Sequence, residues 1–380
     1  MTEKLYYRDC YISEFWAEVL SCEEDKKGYK VVLDQTAFFA EGGGQYGDIG
    51  WIDGVNVFDT QEKDGVVYHY TKEPVEVGKT VKGRLDWETR FDRMQQHSGE
   101  HIISGLVCGR FGYNNVGFHL ADGYCTMDFN GPISQAELKE IEEEANRIVF
   151  RNQEINILYP TADELLTMDY RSKIEIRGQV RIIEIPGVDM CACCAPHLST
   201  TGEIGLIKLV QMDNYKGGER IYMLSGLRAL RDYEMKEKNT KAISALLCAK
   251  DVEIIEAVEH QKKEISALKG EIMALKQKLL AMKAEGTSVE GEIVSVFDED
   301  LSGQEPREMM NLLLDKGAKI CAVFAGNDTD GYRYVIGSKT EDVRLLSKTL
   351  NTAFNGRGGG KPVMVQGSLK GTKEEIKKML

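Results

Sequence analysis

Two short pairs of metal-binding side chains, far apart in a chain of 380 residues, most constrain how this protein can fold. His97 and His101 are four residues apart, and Cys193 and His197 have the same interval. In a helix this interval places two side chains on one face, where both can bind the same ion. A histidine pair alone is more often structural, but three nitrogen atoms and one sulfur atom make a tetrahedral set that suits zinc. The two pairs together predict one Zn2+ per chain, bound by His97, His101, Cys193 and His197.

Three cysteines lie close to His197 in sequence, and any of them could supply the sulfur ligand. Cys191, Cys193 and Cys194 are all near enough in sequence to bind the ion, and only the four-residue interval favours Cys193. The other two are then expected as packed thiols or as neighbours of the ligands. The nine cysteines lack the spacing of a disulfide framework, so in a reducing compartment we expect buried thiols or metal ligands.

The charge of the chain is unevenly distributed. A net charge of −13 argues against a general basic nucleic-acid binder. Residues 301–380, however, contain 13 Lys and Arg against 9 Asp and Glu, and such a basic end can bind a polyanion locally. The N-terminus lacks the apolar core of a signal peptide, and no apolar stretch is long enough to span a bilayer. We therefore predict a cytoplasmic protein without a membrane segment.

The residue patterns predict several domains of different classes. Residues 1–88 mix β-branched and aromatic residues between turn residues, which favours a small β-barrel. Its glycine cluster at 42–44 is, from spacing alone, a hairpin-and-bulge turn. Residues 89–230 predict an α+β zinc-binding domain, with helices from Asp86 to Cys108 and from Ser134, and strands at 180–185, 204–210 and 220–224.

The last part of the chain predicts a long helix followed by a compact α/β domain. Residues 231–286 contain no proline and carry a seven-residue apolar repeat, which is typical of a coiled coil or helical hairpin, and a spacer or dimer contact is the simplest role. Residues 287–380 alternate predicted strands and helices around the glycine-rich residues 355–362. The repeat consists of Val258, Ile265, Ile272 and Leu279, with Leu268, Leu275 and Met282 at the alternate position.

The candidate ligands lie in two motifs that resemble those of the alanyl-tRNA synthetase editing domain. Residues 97–101, His-Ser-Gly-Glu-His, resemble its His-[Thr/Ser]-x-x-His element. Residues 193–197, followed by Thr-Gly-Glu-Ile-Gly at 201–205, resemble its Cys-x-x-x-His element. The family's usual Gly-Gly-Thr before the last histidine is Cys194-Ala195-Pro196 here, a difference that affects the loop geometry and the amino-acid preference.

Further motifs extend the resemblance through essentially the whole chain. Residues 39–50 resemble the Gly-Gly-Gln segment of the family's preceding β-domain, and residues 127–129 resemble its short Phe-Asp-Phe strand. Residues 356–362 and 366–367 resemble its glycine-rich C-terminal domain, which is also attached to DHH phosphoesterases. The chain leaves no room for an adenylating domain, so it is identified as a free-standing editing protein, the long form of the AlaX family.

The resemblance implies an activity and a set of roles. Members of this family hydrolyse mischarged tRNA(Ala), chiefly seryl-tRNA(Ala). Ser98 would help to recognise the amino acid, with an ordinary place in the helix as the alternative. The coiled coil and the C-terminal domain are candidates for a homodimer contact. The residues expected to contact tRNA are Gly43, Gly44 and Gln45 in the first glycine segment, and Arg357, Gly358, Gly359, Gly360 and Lys361 in the second.

Two rival functions stay open at this point. One is a zinc-stabilised tRNA-binding module without hydrolytic activity, and the other is a threonyl-type editing hydrolase, which shares the two-motif pattern. The alanyl-type β-domain and C-terminal domain argue against the threonyl type, and the absent Asp-His-His motif argues against a phosphoesterase. The preference for serine or glycine, and a catalytic or organising role for the metal, are left undecided.

Overall fold

The computed structural model describes residues 1–121, 123–172 and 179–380 and divides into two units, Met1–Ala242 and Ile243–Leu380. The first unit contains a barrel, a four-stranded sheet and a three-stranded sheet, with one long helix packed among them. The second contains a five-stranded sheet with helices on both faces. Within the described ranges, no helix combines the length and apolar character that a membrane span requires.

Alternating apolar residues make strands with one buried face. In β2 (Glu14–Asp25), Phe15, Ala17 and Val19 are buried and their neighbours are exposed. Because β2 pairs with both β3 and β8, six antiparallel strands close into a barrel and leave no free edge. The strands of this region are β1 (Glu3–Lys4), β2, β3 (Gly28–Leu33), β4 (Gln35–Thr36), β5 (Gly50–Ile52), β6 (Val55–Lys63), β7 (Val66–Thr71) and β8 (Thr80–Leu85), of which β1 and β4 pair outside the barrel.

Directly after β1 the chain enters a tight turn. Leu5–Tyr7 form a 3-10 turn, and Leu5 and Tyr6 are both buried although they are consecutive. A strand would send these two side chains to opposite faces, so only the turn can bury both on the same side.

The helix predicted from Asp86 is α1 (Trp87–Phe111), which continues three residues beyond its expected end. The Asp86 side chain accepts a hydrogen bond from the backbone nitrogen of Thr89 at 3.2 Å and caps the helix. Gly112, with a φ of 71°, ends it in the left-handed conformation. Sheets and a second helix pack around α1, so most of its length is buried. Its fully buried apolar residues are Met94, Ile102, Ile103 and Val107.

Two antiparallel sheets and a second long helix complete the first unit. The helix predicted from Ser134 is confirmed as α2 (Gln135–Arg151), which Ser134 and Glu137 start with a capping box. The strand expected from 204 begins only at Ile207, because Thr201–Ile204 form a 3-10 turn and Gly205 has a φ of 81°. The elements are β9 (Asn115–Leu120), β10 (Cys125–Phe129), α2 (Gln135–Arg151), β11 (Asn156–Leu158), α3 (Ala162–Leu165), β12 (Ile182–Ile185), β13 (Asp189–Ala192), β14 (Ile207–Tyr215) and β15 (Gly218–Ser225), in sheets of order β14-β15-β10-β9 and β11-β12-β13.

The region 231–286, expected as a coiled-coil helix or a helical hairpin, contains parts of two helices, α4 (Gly226–Leu247) and α5 (Ile254–Gly286). Cys248 has a φ of 51°, a left-handed conformation that a helix cannot contain, and Lys250 is extended. The apolar repeat of α5 lies on a face that the described residues of the chain leave exposed. Its members Val258, Ile265, Leu268, Ile272, Leu275, Leu279 and Met282 are between 39% and 69% exposed.

The second unit is built on a mixed sheet of order β16-β17-β18-β20-β19. One face of the sheet is covered by the C-terminal part of α5 together with α6 (Glu305–Asp315). The other face is covered by α7 (Arg344–Ala353) and α8 (Lys373–Lys377). The glycine-rich segment contains β19 (Arg357–Lys361), an exposed edge strand. A Cβ on Gly358 would lie 2.5 Å from the Gln366 carbonyl oxygen, so close packing requires glycine. The elements are β16 (Ile293–Asp298), α6 (Glu305–Asp315), β17 (Ile320–Asn327), β18 (Gly331–Ser338), α7 (Arg344–Ala353), β19 (Arg357–Lys361), β20 (Met364–Leu369) and α8 (Lys373–Lys377).

Candidate metal centre

The four predicted ligands meet inside the first unit. α1 carries His97 and His101 on one face, and the loop after β13 carries Cys193 and His197. One donor atom from each residue lies within 4.8 Å of the donors of the others. The Cys193 sulfur is 3.3 Å from Nε2 of His197 and 3.6 Å from Nε2 of His97. The three imidazoles are at most 2% exposed, so the group is a buried cluster that could hold a metal ion.

Each imidazole is oriented by a different oxygen atom. Nδ1 of His97 is 2.9 Å from Oε1 of Gln45, and Nδ1 of His101 is 2.8 Å from a carboxylate oxygen of Asp189. Nδ1 of His197 is 3.3 Å from the hydroxyl of Ser98. An acceptor at Nδ1 keeps the ring proton there and leaves the lone pair of Nε2 for a metal. The donor set therefore fits a divalent cation of zinc type.

The structure separates the three cysteines that the sequence left open. Cys193 is the cysteine grouped with the three histidines. Cys191 is buried, and its sulfur lies within 4.8 Å of donor atoms of His101 and Asp189. Cys194 is exposed, and its sulfur lies next to the glycine turn, 3.6 Å from where a Cβ on Gly43 would be.

A buried arginine fixes the loop that carries Cys193. Nη1 of Arg181 donates to the carbonyl oxygens of Cys193 and Ala195 at 2.8 and 2.9 Å, and the Cys193 backbone nitrogen donates to the Arg181 carbonyl at 3.1 Å. Ala195 is fully buried against Tyr6 and Phe39. Of residues 194–196, Ala195 and Pro196 are thus buried, whereas Cys194 is exposed.

Burial sets the protonation of the cluster. It raises the pKa of the Cys193 thiol well above its ordinary value. Burial, followed by the neighbouring His97 and His101, lowers the pKa of His197. Without a cation the group is therefore a neutral thiol and a neutral imidazole, and a bound cation would have to displace the thiol proton. Burial alone would raise the pKa of Asp189, but hydrogen bonds from His101 and Arg171 hold it below its usual value.

Ser98, expected to recognise the amino acid, is fully buried within the cluster. Its hydroxyl accepts a hydrogen bond from the backbone nitrogen of Leu198 at 3.2 Å and contacts His197. These contacts give Ser98 a place in joining α1 to the ligand loop.

Sequence reasoning missed the residues that support the ligands. Asp189 could have been found, because it stands four residues before Cys193, the same interval that links Cys193 to His197. Arg171 makes two hydrogen bonds to Asp189, at 2.7 and 2.8 Å, and no local pattern indicates it. The same holds for Arg181.

The first glycine segment also contributes to this centre. Gly43 and Gly44 have φ values of 62° and 83°, and a Cβ on Gly44 would lie 2.6 Å from the Phe118 ring. Gln45, which follows them, is 1% exposed and reaches His97. The second glycine segment, β19, belongs to the other unit.

Three family models match successive parts of this chain. Residues 6–89 match the family described as tRNA synthetases class II (A). Residues 180–222, which include Cys193 and His197, match the threonyl and alanyl tRNA synthetase second additional domain. Residues 290–380 match the DHHA1 domain.

Relatives that match nearly the whole length of this chain show the family to which it belongs. Alanyl-tRNA editing protein AlaX-L of Pyrococcus horikoshii is 30% identical over 99% of this chain and 96% of its own length. This chain belongs to the alanyl-tRNA editing protein family. Alanyl-tRNA editing protein Aarsd1 of Rattus norvegicus is 28% identical over 96% of this editing protein and 93% of its own length. Alanine–tRNA ligase of Methanococcus vannielii is 31% identical over 99% of this editing protein, which covers 43% of that ligase.

The hydrogen bond between Asp189 and His101 allows a test of the candidate metal centre. Asp189→Ala should lower metal affinity about 10- to 100-fold, because the His101 ring loses the acceptor that orients it. Competition with a chromophoric chelator measures the affinity, and a thermal melt shows that the variant is folded. Asp163→Ala, which removes an exposed carboxylate on α3, is the matched control and should bind metal normally. Equal affinity in both variants would show that Asp189 does not support the ligand.

Proposed function

We propose that this editing protein is a zinc-dependent deacylase that hydrolyses mischarged tRNA(Ala), chiefly seryl-tRNA(Ala). The observation that carries the proposal is the buried cluster of three histidines and Cys193, each histidine held by its own hydrogen-bond acceptor. The names of the relatives, alanyl-tRNA editing proteins, support the tRNA substrate.

The chemistry suits a centre of this kind. The substrate is an ester between an amino acid and the 3′ ribose, which is already activated, so positioning and modest charge stabilisation are enough. A bound metal would supply positive charge near the ester, and with four protein ligands it also organises the pocket. His97, His101, Cys193 and His197 would hold it. The half-buried ring of Phe118 packs against His97, with 4.7 Å between the two ring centroids.

Removal of a ligand tests metal binding and activity together. His97→Ala and Cys193→Ala should each lose bound zinc and slow the deacylation of seryl-tRNA(Ala) by more than ~100-fold, the upper limit for residues that only support a ligand. Metal content by mass spectrometry and the rate of serine release are the measurements. Cys194→Ala, which removes the exposed neighbouring thiol, should keep both.

The choice of substrate separates the proposal from its rivals. Serine should be released from seryl-tRNA(Ala) and not from the seryl-tRNA of the serine family. Release from neither would indicate a tRNA-binding module without hydrolytic activity. Full activity of zinc-free protein would refute a catalytic metal. The rate of glycine release from glycyl-tRNA(Ala) measures whether the protein also accepts glycine.

We further propose that β19 contributes to tRNA binding. Arg357 and Lys361 stand at the two ends of this exposed edge strand, and Arg344 and Lys348 of α7 line a groove beside its glycines. Such a row of cations can bind phosphates along a nucleic-acid backbone. The position of the strand at a sheet edge also leaves backbone amides available on its outer side.

The double variant Arg357→Ala/Lys361→Ala tests this surface. It should weaken tRNA binding and reduce the dependence of log K on log salt by about 1.5 for two lost phosphate contacts. Zinc content should not change. Lys373→Ala/Lys377→Ala removes two charges beside Phe297 of β16, at the opposite edge of the sheet, and is the control. Equal salt dependence in all proteins would exclude a role for β19 in binding tRNA.

A second copy of this chain is the partner that we propose for α5. Its exposed apolar residues recur every seven positions, the spacing with which two helices pack as a coiled coil. Lys and Glu residues flank this face, as they do in such pairs.

Leu268→Glu places a charge in the middle of the proposed helix contact and should convert a dimer into a monomer in sedimentation equilibrium. Met273→Glu adds the same charge off the repeat, at a residue that is 64% exposed, and should leave the dimer intact. A monomeric native protein, or a Leu268→Glu variant with unchanged mass, would contradict this assembly.

A further inference from the structure

Gln45 is a tRNA-binding residue by resemblance, yet its side chain is buried at the metal cluster. Its backbone is fixed in a tight turn: the nitrogen of Gly42 donates to the Gln45 carbonyl at 3.1 Å, and the nitrogen of Gln45 donates to the Gly42 carbonyl at 3.0 Å. Gly43 and Gly44, between them, both have positive φ values, which glycine adopts without strain. The turn therefore determines the direction in which the Gln45 side chain leaves the backbone.

The orientation of the Gln45 amide follows from the His97 ring. Nε2 of His97 faces the Cys193 sulfur, so a ring that binds metal there carries its proton on Nδ1. That Nδ1 proton is donated to Gln45, whose amide oxygen is the acceptor at 2.9 Å. The amide nitrogen, with its two protons, must then point the other way.

The environment of the Gln45 amide nitrogen is unusual for a buried donor. It is buried, and among the residues that the structure describes it has no hydrogen-bond partner. A buried donor without an acceptor costs about 1–3 kcal/mol, and folded proteins retain few such groups. An unpaired donor beside a metal cluster is well suited to bind an acceptor that arrives with the substrate.

We propose that Gln45 has two roles at this site: its amide oxygen positions His97, and its amide nitrogen donates a hydrogen bond to the carbonyl oxygen of the aminoacyl ester. The second role rests on the proposed function. The ester carbonyl is an acceptor only, and negative charge grows on its oxygen as water attacks. The water oxygen bonds to the carbonyl carbon, the bond to the ribose oxygen breaks, and a water proton ends on that oxygen. Gln45 transfers no proton.

The surroundings of Gln45 hold the donor in place. Asp48, three residues later, accepts hydrogen bonds from Arg90 of α1 and from the backbone nitrogen of Phe39. Arg93 of α1 donates to the Gly47 carbonyl at 2.7 Å. The turn is thus attached to the same helix that carries His97, so the amide and the ligand keep their relative positions.

Gln45→Glu separates the two roles, because a carboxylate still accepts from Nδ1 of His97 but has no amide protons. Metal affinity, measured by chelator competition, should stay equal or increase. The kcat for seryl-tRNA(Ala) should fall about 100- to 1,000-fold, the loss typical of one donor to a developing oxyanion, with KM little changed. Gln45→Met, which keeps the length of the side chain, should lose this activity and also bind metal about 10- to 100-fold more weakly.

Gln61→Leu is the control, since Gln61 lies in the same barrel and bonds to Glu41 and Asp59 instead. It should match the native protein in both measurements. Native metal affinity in Gln45→Met would overturn the positioning role, and native kcat in Gln45→Glu would overturn the donor role. A rise in KM with intact kcat would exclude the carbonyl as the acceptor. If the native protein does not hydrolyse the ester, the proposed function and the donor role fail, while the affinity measurement still tests the positioning of His97.

Discussion

A buried ion pair between Asp48 and Arg90 attaches the barrel to the helix on which the metal cluster is built. Arg90 is 1% exposed, and besides Asp48 it donates to the carbonyl oxygens of Cys10 and Ala37 at 2.9 and 2.6 Å. Burial of two charges is costly, and the four hydrogen bonds of the guanidinium offset part of that cost. Arg90 lies two helical turns before His97, so the pair sets the distance between the glycine turn and the first ligand.

Three elements of the first unit meet at the cluster of candidate metal ligands. The barrel supplies Gln45 to His97, β13 supplies Asp189 to His101, and α1 itself supplies Ser98 to His197. Each acceptor favours the ring proton on Nδ1, so that the lone pair of Nε2 is the one that could bind a metal. A cluster of this kind is assembled by tertiary packing, since each acceptor is at least 52 residues away in sequence from the histidine that it contacts.

Much of the fold could be predicted from local patterns, and the failures have local causes. α1 and α2 were predictable because an apolar period of 3.6 coincided with capping residues at their starts. The apolar repeat lies within one helix, α5, and the coiled coil stays a prediction; periodicity alone does not detect the left-handed Cys248, which separates α4 from α5. The sequence pattern predicted no secondary structure for the glycines of β19, and in the structure they allow close contact with β20 and Tyr334.

The sequence by itself determined which side chains could share a metal, because an interval of four on a helix and the chemistry of His and Cys are local properties. Tertiary structure alone decided which of three cysteines joins the histidines, since that depends on how Arg181 holds the loop. It also decided that Gln45 belongs to the cluster. A glycine turn specifies its own shape but not what it faces, and only the packing of the barrel on α1 brings the amide to His97.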